Sequence, residues 1–155
     1  MTPATITALV IVGILVVTGL AAVMTRVVYT TLKAPLEARI AEHLKGSQIL
    51  MKDLRANCFG LESAGVFQPR GNGGLVLTES ELHFFKFLPR TELQVPLDAI
   101  IEITLVRSHL GKPTLHKLLK VSFSLGGKMD SIAWYVTDPE AWQGRIAEVR
   151  SGAHG

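Results

Sequence analysis

The chain has 155 residues, of which 48% are hydrophobic and 19% charged, with a formal net charge of +3 and a mean hydropathy of +0.32. Low charge with high apolar content excludes a disordered chain, and a single cysteine, Cys58, excludes a disulfide-stapled module and fits a reducing compartment. The apolar excess is concentrated at one end, because no charged side chain occurs between Met1 and Thr25.

Ile6 to Met24 is an almost unbroken apolar run in which only Thr7 and Thr18 are polar. Nineteen helical residues rise about 28 Å, the hydrocarbon thickness of a bilayer. Helical threonine hydroxyls can bond back to their own backbone. Gly13 and Gly19, unfavourable in a soluble helix, are ordinary in a membrane one. No Lys or Arg precedes the run, and it exceeds a signal-peptide core, so a retained span is expected. Arg26, Lys33, Arg39, Lys45, Lys52 and Arg55 follow it. That asymmetry places the C-terminal part in the cytoplasm and the N-terminus outside. Thr18 and Ala22 form a small-xxx-small pair of the kind that supports helix association.

Arg26 to Leu32 continues the helix through the interface, with Arg26 and Tyr29 at headgroup level. Pro35 suits the first position of a restarted helix. Leu36, Ile40 and Leu44 fall on one face, with Arg39, Glu42, His43 and Lys45 away from it, and Gly46 is a stop signal. Ten residues of mixed charge make a weak membrane binder, so this stripe is expected to pack on the following domain. Residues 48–55 are ambiguous between a helical turn and a strand. The resulting plan is 1–33 for the span and its interfacial extension, 34–55 for a partly helical connector, 56–150 for the main domain and 151–155 for a flexible tail.

From Ala56 onward the apolar period becomes two. Gly74 to Thr78 reads as a strand, Glu79-Ser80 as a turn, and Glu81 to Phe87 as a strand dense enough in aromatics to be covered on both faces. Pro89-Arg90 turns the chain. The alternating triplets Leu93/Val95/Leu97, Ile101/Ile103/Leu105, Leu119/Val121/Phe123 and Ile132/Trp134/Val136 complete the set, with a hairpin turn at Gly126-Gly127. Such alternation denotes antiparallel strands wet on one face. A final helix starts either from a Thr137/Glu140 capping box or from an Asp138 cap with Pro139 in first position. Its stripe is Trp142, Ile146 and Val149, and Arg150 suits its C-terminal end. The fold class is therefore mainly β. Six or seven strands form a small, partly open antiparallel β-barrel, capped by the C-terminal helix with Trp142 as plug and preceded by one transmembrane helix.

Gly74 to Thr78, then Leu82 and Phe84, then Val95 to Ile100, resembles the GxLxLTxxxLxF…IPLxxI signature of bacterial-type GRAM domains. These belong to the pleckstrin-homology superfold. The resemblance covers roughly Asn57 to Arg150. It implies a barrel closed by a C-terminal helix and a module that binds lipid headgroups or proteins and is not an enzyme. The first hairpin loop, Glu62 to Gly74, offers only Arg70, so no phosphate-holding basic cluster is read there.

Charge is uneven along the domain. Between Glu102 and Asp130 lie Arg107, Lys112, Lys117, Lys120 and Lys128, with His109 and His116 and no acid. Gly111 at the centre can take a positive φ and expose N–H groups to an anion. The candidate ligand-binding residues are Arg107, His109, Lys112 and Lys117, in a loop that could equally be a solvated hairpin tip. Elsewhere the domain is near neutral, which argues against nucleic acid. Of the histidines at 43, 83, 109, 116 and 154, only His109 and His116 are sequence neighbours, so no metal site is expected. His83 reads as a surface histidine and Cys58 as a buried apolar residue. Residues 70–74 are glycine-rich but precede a strand, so they lack the helix dipole of a phosphate loop. No nucleophile sits in a strand-turn-helix elbow. No catalytic residue and no cofactor are expected. The reading is a single-pass cell-membrane protein with a non-catalytic binding module at the cytoplasmic face, taking anionic lipid or a protein partner. The alternative is a structural subunit of a membrane complex.

Overall fold

In the computed structural model, which describes residues 2–68 and 70–152, α1 spans Pro3–His43 and seven strands precede a second helix, α2, at Pro139–Gly152. The interfacial Tyr29 side chain, and the tail beyond Gly152 with His154, lie outside the described residues.

α1 forms as its composition requires. One window reaches a mean hydropathy of 2.7 with none of its residues buried, long and apolar enough to cross a membrane. A helix apolar all round and exposed is one suited to lipid. Its hydroxyls turn inward to the backbone: Thr7 Oγ1 donates to the Pro3 carbonyl at 2.9 Å and Thr18 Oγ1 to that of Ile14 at 2.9 Å. The restart expected at Pro35 does not occur. The helix runs through it to His43, since losing one N–H does not break a helix whose other bonds hold. Two compact units divide within α1, at 1–38 and 39–155. In the second, Ile40 and Leu44 are buried, and Gly46 ends the helical turn with a φ of 89°.

The strands are β1 (Ile49–Leu61), β2 (Gly71–Thr78), β3 (Glu81–Lys86), β4 (Glu92–Pro96), β5 (Ile100–His109), β6 (Lys112–Leu125) and β7 (Lys128–Tyr135). They form one antiparallel sheet in the order β4-β3-β2-β1-β7-β6-β5. The ambiguous segment thus belongs to β1 from Ile49 onward. That strand pairs with β2 from Ile49 to Cys58 and with β7 from Asn57 to Leu61, and ladder shifts at Asp53/Ala56 and Cys58/Gly60 bend it between the two. The sheet thereby folds into two halves that share one core, a sandwich rather than the expected barrel. Among the described residues no ladder joins β4 to β5. Pro96 ends β4 without an N–H to donate, and a 3₁₀ turn at Leu97–Ala99 carries the chain across.

The shared core takes Leu75, Leu77 and Phe84 from one half and Val121, Ile132 and Trp134 from the other. Trp142 and Ile146 of α2 close it, with Val149 packed alongside. α2 starts from the second of the two expected caps: Asp138 Oδ1 accepts the Ala141 N–H at 3.0 Å, with Pro139 in first position. The helix continues to Gly152, past the expected start of the tail.

Two burial assignments, one inward and one outward, need correction. Ile101 is exposed and Ile100 buried, because a register shift between Ile100 and Glu102 resets the alternation, leaving Ile103 and Leu105 partly covered on the core side. His83 is only 2% exposed rather than a surface residue. β3 is buried on both faces: Phe84 enters the core, while the last turn of α1 brings His43 over Phe85 on the other face, ring centroids 5.5 Å apart.

Candidate functional site

The basic segment 107–117 is a β-hairpin more than a loop. β5 and β6 pair out to His109 and Lys112, and the turn is only Leu110-Gly111, with φ of 52° and 69°. Two successive positive φ values are those of a type I′ turn, whose twist matches the strands. Glycine adopts this freely and leucine does so under strain. A register shift between Val106 and Ser108 leaves residues 114–117 outside the ladder, with Leu115 89% exposed.

A second loop lies against this hairpin. After β1 a 3₁₀ turn, Glu62–Ala64, leads into residues 65–70. Gln68 staples this loop: its Nε2 donates to the carbonyls of Leu61 and Gly65, and its Oε1 accepts the Leu61 N–H at 2.9 Å. Gly60 has a φ of 112°, and a Cβ there would come within 2.4 Å of Gln68, so this position requires glycine. Phe67 at the tip is 99% exposed.

His109 and Lys112 pair across the hairpin, Arg107 and Lys117 lie farther along its two strands, and each of the four is engaged with its own chain. Lys112 Nζ donates to the Gln68 carbonyl at 3.1 Å, joining hairpin to loop. His109 is buried, with Nε2 2.8 Å from the Gly60 carbonyl, and burial pushes its pKa below the ordinary value despite that bond. Arg107 is exposed and gives one N–H to the Leu115 carbonyl at 3.2 Å. Lys117 Nζ meets Glu140 Oε1 at 2.6 Å, a hydrogen bond that lowers the carboxyl pKa. The hairpin thus presents Arg107 outward, while His109 and Lys112 hold its shape. Nearby, Asp130 accepts the Ser63 hydroxyl at 2.5 Å and the N–H groups of Ser63 and Ser131. Burial works to raise its pKa, and those bonds carry it below the ordinary carboxylate value. Cys58 packs beside the core, and burial raises its thiol pKa, which suits a structural residue.

Sequence reasoning missed Phe67 and Leu115. An apolar residue in a loop carries no periodic signal, so its exposure is legible only once the backbone is placed. The available hint was that Phe67 falls in the turn-rich stretch between Gly65 and Gly71, outside any alternating run.

No protein-family model matches the sequence, and no curated protein matches it. Solved structures do. The N-terminal PH domain of Vps36 aligns with a TM-score of 0.51 at 14% identity, over 70% of this chain and 83% of that one. The β-domain has a pleckstrin-homology-like fold. The C-terminal domain of a Leishmania infantum protein aligns with this PH-like chain at a TM-score of 0.53 and 12% identity, over 76% of this chain and 96% of that one. A chain of the 8S snRNP assembly intermediate aligns at 0.54 and 8% identity, over 66% and 82%. At these identities the likeness concerns the PH-like fold alone.

Proposed function

We propose that the protein is a single-pass membrane protein whose PH-like domain works at the cytoplasmic face as a non-catalytic module binding anionic lipid surfaces through the β5–β6 hairpin. PH-like folds are typically non-catalytic binding domains, and the GRAM-like signature supports the same class. One observation carries the choice of ligand: the exposed Phe67 and Leu115 lie one on each of the two segments that Lys112 joins, and the exposed Arg107 bonds the Leu115 carbonyl. Cations with a neighbouring exposed aromatic fit a membrane interface, where charge meets headgroups and the ring enters the acyl boundary. The apolar α1 supplies the anchor in this reading, and tethering makes even a weak second contact effective.

Each Lys or Arg near an anionic leaflet contributes about 1 kcal/mol, so Arg107→Ala, which removes the outward cation and leaves Lys112 and Lys117 on their partners, should weaken vesicle binding about fivefold. The measurement is co-sedimentation of residues 39–155 with vesicles of neutral or part-anionic lipid. Binding of the parent should fall as salt rises, because exposed charges are screened beyond about 10 Å at 0.1 M. Equal, salt-independent behaviour of parent and variant would remove the lipid reading and leave a protein partner or a subunit role in a membrane complex.

A further inference from the structure

We propose that His43, His83 and Glu92 form a binding site for a zinc-class divalent cation that ties the last turn of α1 to strands β3 and β4. The three donors come from separate places in the chain, but one acceptor atom from each lies within 4.8 Å of the others. Glu92 stands between the two rings, with Oε1 3.0 Å from His83 Nδ1 and Oε2 3.1 Å from His43 Nε2. Tetrahedral zinc, at bond lengths of about 2.0–2.1 Å, sets its ligand atoms about 3.3 Å apart. The two contacts to Glu92 lie close to that spacing, and the ring nitrogens, within 4.8 Å of each other, would close around the ion by rotation of the half-exposed His43.

The proton inventory of His83 points the same way. Its other nitrogen, Nε2, faces Glu81 Oε2 at 3.3 Å. A neutral imidazole has one N–H to give. In the neutral ring, donating it to Glu81 leaves the Nδ1 lone pair facing a carboxylate oxygen, a contact that either a second ring proton or a cation between the two would satisfy. A histidine whose far nitrogen is held by a carboxylate is the usual outer support of a metal ligand, fixing tautomer and ring orientation. The ring is 2% exposed and stacks on Phe85 at 6.0 Å, so water is poorly placed to relieve the contact. His43, nearly half exposed, leaves the ion an open side for a water ligand. The nearby cation, Arg39, is turned to other work: its two terminal nitrogens donate to the carbonyls of Lys86 and Thr91 at 2.9 and 2.8 Å. Two imidazoles and one carboxylate form a donor set that suits zinc, whereas calcium and magnesium prefer all-oxygen sites.

The sequence could not suggest this site, because only chain folding assembles it. His109 and His116, the one near pair in sequence, go elsewhere: His109 to the Gly60 carbonyl and His116 against Tyr135.

The test uses untagged full-length protein in detergent micelles, titrated with Zn²⁺ against a chromogenic zinc indicator and with Co²⁺ monitored by its visible absorption. The expected result is one equivalent of either ion per chain, with a tetrahedral Co²⁺ spectrum. Glu92→Gln and His43→Gln should each weaken zinc binding about tenfold or more, and His116→Gln should leave it unchanged. His43→Gln alters a half-exposed side chain, so it remains decisive if Glu92→Gln impairs folding, which melting without metal reports. Binding below one equivalent, or equal binding by parent and the Glu92 and His43 variants, would overturn the proposal and leave an ordinary hydrogen-bonded histidine pair.

Discussion

His109 illustrates how a basic residue near a candidate site can serve the scaffold. The Gly60 carbonyl can only accept, so the ring carries a proton on Nε2, and burial disfavours adding the second. Burial holds its folded pKa below the ordinary histidine value of 6.5, so the unfolded chain takes up a proton first as pH falls. Its contribution is therefore whole above pH 6.5 and is lost as pH falls through the folded value, at a slope of at most about 1.4 kcal/mol per pH unit. His109→Gln should flatten that part of the stability profile. Urea melts of parent and variant at pH 7.5 and 5.5 give the comparison, and parallel losses would show that His109 is not the group responsible. The sequence marked this histidine as a ligand because it sits in a basic run. It offered no sign that the ring points at a carbonyl from a strand far away in the chain.

α2 and the end of α1 are the two helical pieces that complete the β-sandwich. Trp142 is 1% exposed within the shared core, so Trp142→Ala should cost about 3–5 kcal/mol, as for other buried aromatics. A loss under about 1 kcal/mol in denaturant titration would mean that α2 does not close the core. The compact unit starts at Arg39, and Ile40, Leu44 and the Arg39 bonds to Lys86 and Thr91 belong to it. Residues 39–155 should therefore melt cooperatively, and a fragment beginning at 46 should be less stable by several kcal/mol, having lost two buried aliphatic side chains. Equal midpoints would show that the α1 terminus is dispensable. These helices were legible from their stripes and from the Asp138-Pro139 start. Four strands were legible from alternation, and β2 and β3 as short apolar runs between turns. β1 was only half legible, because its ladder shifts at Asp53/Ala56 and Cys58/Gly60 break the period that identifies a strand. The same kind of shift moved the buried position from Ile101 to Ile100. Sheet closure was not legible at all, since alternation fixes which face is buried and says nothing of which edges pair.

The protein carries an apolar helix and a PH-like domain, and the proposed lipid binding depends on that helix being a membrane span with the domain inside the cell. Mean hydropathy of 2.7 over an exposed window, and six Lys or Arg residues between 26 and 55 with none before, are the grounds for it. A cleaved leader would release the domain, and the opposite orientation would place the β5–β6 hairpin against the wrong leaflet. Both alternatives are decided by cysteine labelling in intact cells, in a Cys58→Ser background, with Pro3→Cys and Ser151→Cys as separate probes. An impermeant thiol reagent should label the Pro3→Cys protein in intact cells and the Ser151→Cys protein only after permeabilisation. Reversed labelling, or a mature chain that has lost position 3, would contradict it.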